Sequence, residues 1–446
     1  MDPFPVYPLG ASFVASALAR TGVEVVTLDL AFSENPAGEA GSAAEEAAAD
    51  LVAVAVRAVD NTTGLDPRYY LPAIESVVAS VREAGGPPIL LGGSGYSLFP
   101  EKILQGFGAD YGIQGEGELA ITRLVAALRS GERAAAGDGL YVRMGGKVEG
   151  APPSGRLAPA KWSAPDYRLF SLEPYLSAGG TAAVQTKRGC PQKCCYCTYP
   201  FLEGRRLRLR DPREVVRDVG RAIEIGADYF YFVDNNFNMP AEHARQVCRE
   251  LAASEFAPGW TAFVTPLAFP AVLAEEMAAA GCRSLELGSE AGSDATLREL
   301  GKSHTVAEIV ETDRLLFEAG ITPAHYFIFG GPGETDDTIE ETLSVIDQLN
   351  GVCIAMVGVR IYPGTPLHSR SISEGVLHEG RDLLEPAFYV SPAVEREKVL
   401  ARLTDFAKDH PRFFIAGMEI NQNQPVIDRL RSRGRTGPLW EFYALA

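Results

Sequence analysis

The rhythm of apolar and polar positions changes partway along this chain and divides it in two. Between residues 10 and 130, short apolar runs alternate with amphipathic stretches. Ala11–Arg20 has helical spacing, Val23–Leu30 and Leu51–Arg57 read as strands, and Pro72–Glu83 reads as a helix. Ile89–Leu91 and Tyr111–Ile113 are further strands, whereas Ser33–Ala49, rich in Ala, Glu, Gly and Ser, predicts a loop and an exposed helix. The runs lack the period-2 alternation of a sheet with one wet face. That predicts a parallel sheet covered by helices on both sides. Met1–Pro8 is too short and too proline-rich to supply the buried strand that normally opens such a domain.

Leu140–Val148 carries two short runs around Gly145-Gly146, a hairpin signal, and the proline-bearing stretch from Gly150 to Pro165 is a linker. From Thr181 the alternation resumes with a longer period. Strands are expected at Ala182–Thr186, Tyr229–Val233, Trp260–Val264, Arg283–Leu287, His325–Phe329 and Met356–Ile361. Helices fall near Val215–Glu224, Ala241–Ala253, Ala271–Ala280, Val306–Glu318 and Asp337–Leu349. Six βα repeats make three quarters of an eight-stranded barrel, with chemistry expected at the strands' carboxyl ends. Beyond Ser371, helical patches at Ala393–Lys408 and Pro425–Arg433 predict a C-terminal cap. The expected fold class is α/β. It comprises a Rossmann-like domain over residues 1–139, a hairpin and linker over 140–165, a partial (β/α)6 core over 166–370 and a small helical cap over 371–446.

Composition narrows the function classes. The chain has 446 residues, 46% hydrophobic and 22% charged, as expected of a globular enzyme of two or three domains. It lacks both an apolar run of membrane-spanning length and a basic-then-apolar leader, so a cytoplasmic protein without a membrane partner is expected. The seven cysteines, four of them crowded together, suit a reducing compartment better than a disulfide framework. A net charge of −17 argues against nucleic acid as a partner. It tolerates cationic small substrates, though its plain reading is solubility.

The chemistry concentrates in Cys190-Pro-Gln-Lys-Cys194-Cys-Tyr-Cys197, directly after the apolar run Ala182-Ala183-Val184. Three thiolates at C-x-x-x-C-x-x-C spacing cannot complete a tetrahedral zinc site. Cys195 adjoins Cys194, and Cys248, Cys282 and Cys353 sit apart without partner motifs. Cys190, Cys194 and Cys197 can instead hold three irons of a [4Fe–4S] cluster and leave the fourth open. Lys187, Arg188 and Lys193 flank the motif and can tune its potential, and Arg205, Arg206, Arg208 and Arg210 crowd the next segment. Asp234, Glu290 and Glu334 stand at strand ends, where a carboxylate can bind a ligand or act as a base. His325, Tyr326 and Tyr362 lie in or beside apolar runs and read equally as core residues.

With Tyr196 just before its third cysteine, this motif resembles the signature of the radical S-adenosylmethionine (SAM) superfamily. The resemblance continues through Asp234-Asn235-Asn236, Leu287-Gly-Ser289-Glu290, Phe329-Gly-Gly-Pro-Gly-Glu334 and Arg360-Ile-Tyr-Pro-Gly364-Thr365, each ending a later strand. It implies that a cluster electron cleaves SAM to a 5′-deoxyadenosyl radical, which takes hydrogen from a small-molecule substrate. It also implies an electron donor such as flavodoxin or ferredoxin, which the arginine-rich segment could dock if it does not face the SAM carboxylate or simply the solvent. By this likeness Tyr196, Asn235, Asn236, Ser289, Gly330, Gly331 and Glu334 are expected to contact SAM, and Glu290, Asp234 and Tyr362 to serve catalysis.

Upstream, Val56-Arg57-Ala-Val-Asp60-Asn61, Leu91-Gly92-Gly93-Ser94-Gly95 and Gly115-Glu-Gly-Glu118 resemble the B12-binding domain that precedes the barrel in one branch of that superfamily. Arg57 then takes the position beneath a cobalt. The sequence has no D-x-H-x-x-G motif and no histidine before His243. Together with the missing first strand, this favours a vestigial domain. The expected chemistry is cobalamin-free dehydration or deoxygenation of a polar, aminosugar-type natural product, as in an aminoglycoside-pathway radical SAM diol dehydratase. The alternative is a cobalamin-dependent C-methyltransferase.

Overall fold

A computed structural model of the chain describes residues 5–132, 134–420 and 424–443. Its first sheet runs in the order β1 (Val52–Ala55), β2 (Ile89–Gly92), β3 (Tyr111–Ile113), β4 (Leu140–Met144), β5 (Lys147–Glu149). The first three strands are parallel, and the last two form the expected hairpin against β3. Ile89, Leu91, Ile103 and Leu104 are fully buried between this sheet and its helices. Helix Pro36–Glu46 has a local cause: Asn35 accepts from the Gly38 amide at 3.2 Å, and proline occupies its first turn.

Val23–Leu30 corrects the sequence expectation, since it is extended but pairs with no strand among the described residues. Val26 remains 70% exposed, and Asp29 accepts a hydrogen bond from Tyr175 at 2.7 Å. An apolar run becomes a strand only where its backbone groups find a ladder, and β1, which pairs only with β2, does not provide one. The sheet begins with β1 at its edge.

In the second half, β6 (Ala182–Val184) leads into a short antiparallel ribbon, β7 (Lys187–Arg188) and β8 (Arg208–Leu209), that brackets the cysteine loop. β9 (Tyr229–Phe232), β10 (Gly259–Val264), β11 (Cys282–Glu290), β12 (Thr322–Phe329) and β13 (Val352–Val357) follow, each after a helix. The run expected at Met356–Ile361 divides at Gly358, and β14 (Val359–Arg360) turns away to pair with β15 (Phe388–Tyr389). A seventh strand, β16 (Phe413–Ile415), comes from the cap region and completes the parallel order β16-β13-β12-β11-β10-β9-β6. Capping boxes at Thr305/Glu308 and Thr335/Thr338 start the helices packed outside β12 and β13.

The cap closes the end of the barrel opposite the cysteines. Trp440 packs on Ala324, Val352, Ile354 and Phe414, while the Glu441 carboxylate accepts from Ser284 at 2.8 Å and from the Tyr229 hydroxyl. The chain thus has the α/β class read from its sequence, with a B12-binding-type sheet ahead of a partial barrel. Among the described residues, no helix is long and apolar enough to cross a membrane.

Candidate active site between the two sheets

The cysteine loop leaves the barrel at the carboxyl end of β6 and is pinned by main-chain bonds. Cys190 donates to Gly204 at 3.0 Å and Cys195 to Leu300 at 2.9 Å, and Leu367 donates to Cys195 at 2.9 Å. Gly189 enters the loop at φ +97°, and a Cβ there would lie 2.2 Å from the Arg206 carbonyl, so only glycine fits. Cys190, Cys194 and Cys197 are free thiols, and the Asn236 amide donates to the Cys190 sulfur at 3.6 Å. Cys195 is buried in the apolar core, and burial pushes its thiol up to about 12. Among the described residues, no three Cys, His, Asp or Glu side chains converge on one ion. Three thiolates on a rigid loop, with the fourth cysteine turned into the core, fit the [4Fe–4S] group.

Asp234, expected to serve catalysis, has a structural role in the chain. Its carboxylate is fully buried and accepts from the Thr186 amide at 2.8 Å and from Lys187 Nζ at 2.8 Å, so it clamps the start of the cysteine loop to the end of β9. Lys187 and Arg188 are equally committed to buried ion pairs. Arg188 stacks between Trp162 and Phe13, 4.3 and 5.1 Å from their ring centres, and pairs with Glu116 at 3.1 Å and Glu118 at 2.7 Å. Arg208 binds Glu116 and Arg210 binds Asp218, both at 2.7 Å, which leaves Arg205 and Arg206 as the exposed pair of that segment. Asn235 donates to Glu203 at 2.8 Å, and Glu203 also accepts from the Gly189 amide at 2.9 Å. Glu203 carried no motif in the sequence, yet it ties the loop to the end of β9.

At the end of β11, Glu290 adopts φ +66°, a conformation that costs a non-glycine residue about 1–3 kcal/mol. Its Oε1 accepts from Tyr196 Oη and from Lys302 Nζ, each at 2.8 Å, so Tyr196, Glu290 and Lys302 form one cluster beside the cysteines. Ser289 is fully buried, its hydroxyl 2.8 Å from His325 Nδ1, and His325 Nε2 lies 3.0 Å from Asp313. Burial alone would raise the Asp313 carboxyl, but the His325 and Asn350 hydrogen bonds hold it below the usual range. This Asp–His–Ser chain lies wholly in the interior and orients the strand end. Glu334 is also buried, with one oxygen accepting from the Gly330 amide, and it braces the Gly330–Gly331 turn from beneath. Tyr362 is half-buried and stacks on Arg360, whose guanidinium pairs with Asp60 of the first domain at 2.7 Å.

Arg57 follows β1, and its charge is felt by both Tyr175 and Tyr199, the latter just after the cysteine loop. It is exposed and has neither a hydrogen-bonding side-chain partner nor an ion pair among the described residues. The Ser94 hydroxyl and the Gly95 amide bind the Arg57 carbonyl, at 2.6 and 3.1 Å. Gly93 sits at φ +97°, where a Cβ would lie 2.6 Å from the Val56 carbonyl. Helix Ser94–Leu98 meets helix Tyr199–Leu202 of the barrel, and Tyr199 and Phe201 expose their rings beside it. An unpaired cation, a bare glycine turn and open aromatic faces at a domain boundary fit a corrin, with Arg57 and Gly92–Gly95 on one side and the cysteine loop on the other.

Comparison with known proteins supports both halves. Residues 184–346 match the radical SAM superfamily and residues 3–125 match the B12 binding domain. The tryptophan 2-C-methyltransferase of Streptomyces laurentii is 26% identical over 436 residues, spanning 83% of this chain and 72% of that protein. The radical SAM methyltransferase TsrM of Kitasatospora setae, solved with cobalamin and a [4Fe–4S] cluster, superposes with a TM-score of 0.86 at 22% identity, over 99% of this chain and 95% of its own. The cobalamin-dependent radical enzyme OxsB superposes with a TM-score of 0.74 at 16% identity, over 97% and 70%. At these identities the two structures establish the fold. Nothing in the comparisons supports cobalamin-free dehydration. Of the two readings drawn from the sequence, they favour methyl transfer.

Proposed function

We propose, for a chain that carries a B12-binding domain followed by a radical SAM domain, that it is a cobalamin-dependent methyltransferase acting on carbon in a small-molecule substrate. The observation that carries this reading is Arg57, an exposed cation at the end of β1 that has no ion pair among the described residues and whose charge reaches Tyr199, just after the cysteine loop. An exposed cation without an ion-pair partner at the domain boundary is free to meet a polar group of a bound cofactor, a use that a vestigial domain would not have. The similarity to a tryptophan C-methyltransferase over most of the chain supports the same reading. When bound, the cluster supplies an electron and an iron open to SAM, and cobalamin supplies a transferable methyl group.

The chain's own residues then have separable tasks. Cys190, Cys194 and Cys197 hold the cluster, and Asn236 orients the Cys190 sulfur. Glu290 with Lys302, and the Gly330–Gly331 turn, shape the SAM side of the site. Arg188, bound to Glu116 and Glu118, fixes the separation of the two domains. An external donor such as flavodoxin or ferredoxin would dock near Arg205 and Arg206. The test is to incubate anaerobically reconstituted, cobalamin-loaded protein with methyl-deuterated SAM, reductant and a small-molecule extract of its source. A product carrying the labelled methyl group is expected. A product lighter than its precursor by one water, formed equally well without cobalamin, would overturn the reading.

A further inference from the structure

The barrel lumen below the strand ends contains a polar layer that none of the cluster and SAM contacts above uses. Register places Tyr231 beside Thr261, Thr261 beside Ser284, and Phe263 beside Glu286, with Tyr326 two residues past Ala324, the partner of Glu286. Paired positions in a parallel sheet share a face, so Tyr231, Phe263, Glu286, Tyr326 and Met356 all lie on the face of the sheet that lines the lumen. Each is half-buried although its neighbours along the strand are buried, so open space reaches this face. Toward the cap the polar groups are closed off: Tyr229, Ser284 and Glu441 satisfy one another.

The Glu286 end is not closed off. Tyr231 and Tyr326 lie near enough to the Glu286 carboxyl to influence its titration, and no Lys, Arg or His forms an ion pair with it among the described residues. A carboxylate has about four acceptor sites, and two phenols leave room for more donors. The Thr261 hydroxyl of the same face is fully buried and has no partner. Burial pushes Glu286 up to about 7, so a cationic ligand would restore its charge near neutrality.

We infer that Glu286, flanked by Tyr231 and Tyr326, binds a protonated amine on the substrate, while Phe263 and Met356 take its apolar or aromatic body. The inference rests on the methyltransferase reading for the identity of the reaction, but its test measures binding. Anaerobic, cluster-loaded full-length protein is titrated with tryptamine, indole and indole-3-propionate, which share a body and differ in charge. Tryptamine is expected to bind roughly tenfold or more tightly than indole-3-propionate. Glu286→Gln should abolish that preference while indole affinity stays unchanged, and Tyr326→Phe should weaken tryptamine a few-fold. Equal binding of the amine and the acid, no tryptamine binding, or a preference that survives Glu286→Gln would each overturn the assignment. If tryptamine binds as expected while no labelled methyl is transferred, the reaction reading fails and the amine site stands.

Discussion

Glu334 lies fully buried under the Gly330–Gly331 turn with one oxygen unpartnered, and burial pushes its pKa up to about 8. In the unfolded chain it titrates near its ordinary value of 4.5, so between these two values the folded state binds more protons. Stability therefore falls as pH rises from about 5 to 8, by an amount on the order of a few kcal/mol. Glu334→Gln keeps an acceptor for the Gly330 amide but cannot ionise. Denaturation of the variant should show a flatter pH profile over that window, and parallel profiles would contradict the assignment. The cysteines allow a second residue-level test. Cys190→Ala should abolish reductive SAM cleavage, whereas Cys195→Ala, which changes a core thiol, should keep the cluster's iron content and absorbance. The four crowded cysteines could be sorted into three ligands and one core thiol from spacing alone. Glu203, Lys302 and Glu286 could not, because a lone acid or base in an apolar stretch has no spacing to betray it, and their meaning comes from partners about 12 to 100 positions away in the sequence.

At the scale of elements, apolar runs made most strands legible, and glycines marked the turns that follow them. Val23–Leu30 was misread because periodicity reports what a segment would bury and not whether a neighbouring strand exists. β16 was missed for the opposite reason: Phe413–Ile415 is three residues long inside a polar region, too short to show a period. The clamp between β6 and β9 was visible only as two charged residues. In the structure Lys187 and Asp234 are buried together, and breaking such a pair leaves a charge without compensation. Asp234→Ala should destabilise the protein by about 3–5 kcal/mol in chemical denaturation, and adding Lys187→Met should restore part of that loss. If the single and double variants lost the same amount, the clamp would not be the cause.

The two sheets of the molecule share one buried apolar cluster, and a few buried charge pairs bridge them beside it. Arg188 with Glu116 and Glu118, and Arg360 with Asp60, bridge the domains through buried ion pairs, and Arg57 between them has no such partner. The sequence motifs named both domains. They could not show how the domains meet, because that depends on ion pairs such as Arg188–Glu116 and Arg360–Asp60, 72 and 300 positions apart. They pointed away from cobalamin on the strength of a missing strand, and the Arg57 side of the boundary argues the other way. The account's central claim is that this boundary holds a corrin, and corrin content tests it most directly. After anaerobic purification with cobalamin supplied, the absorbance spectrum and cobalt analysis should give about one corrin per chain, and Arg57→Ala should alter its spectrum. A chain that carries its cluster but retains no corrin would contradict the account.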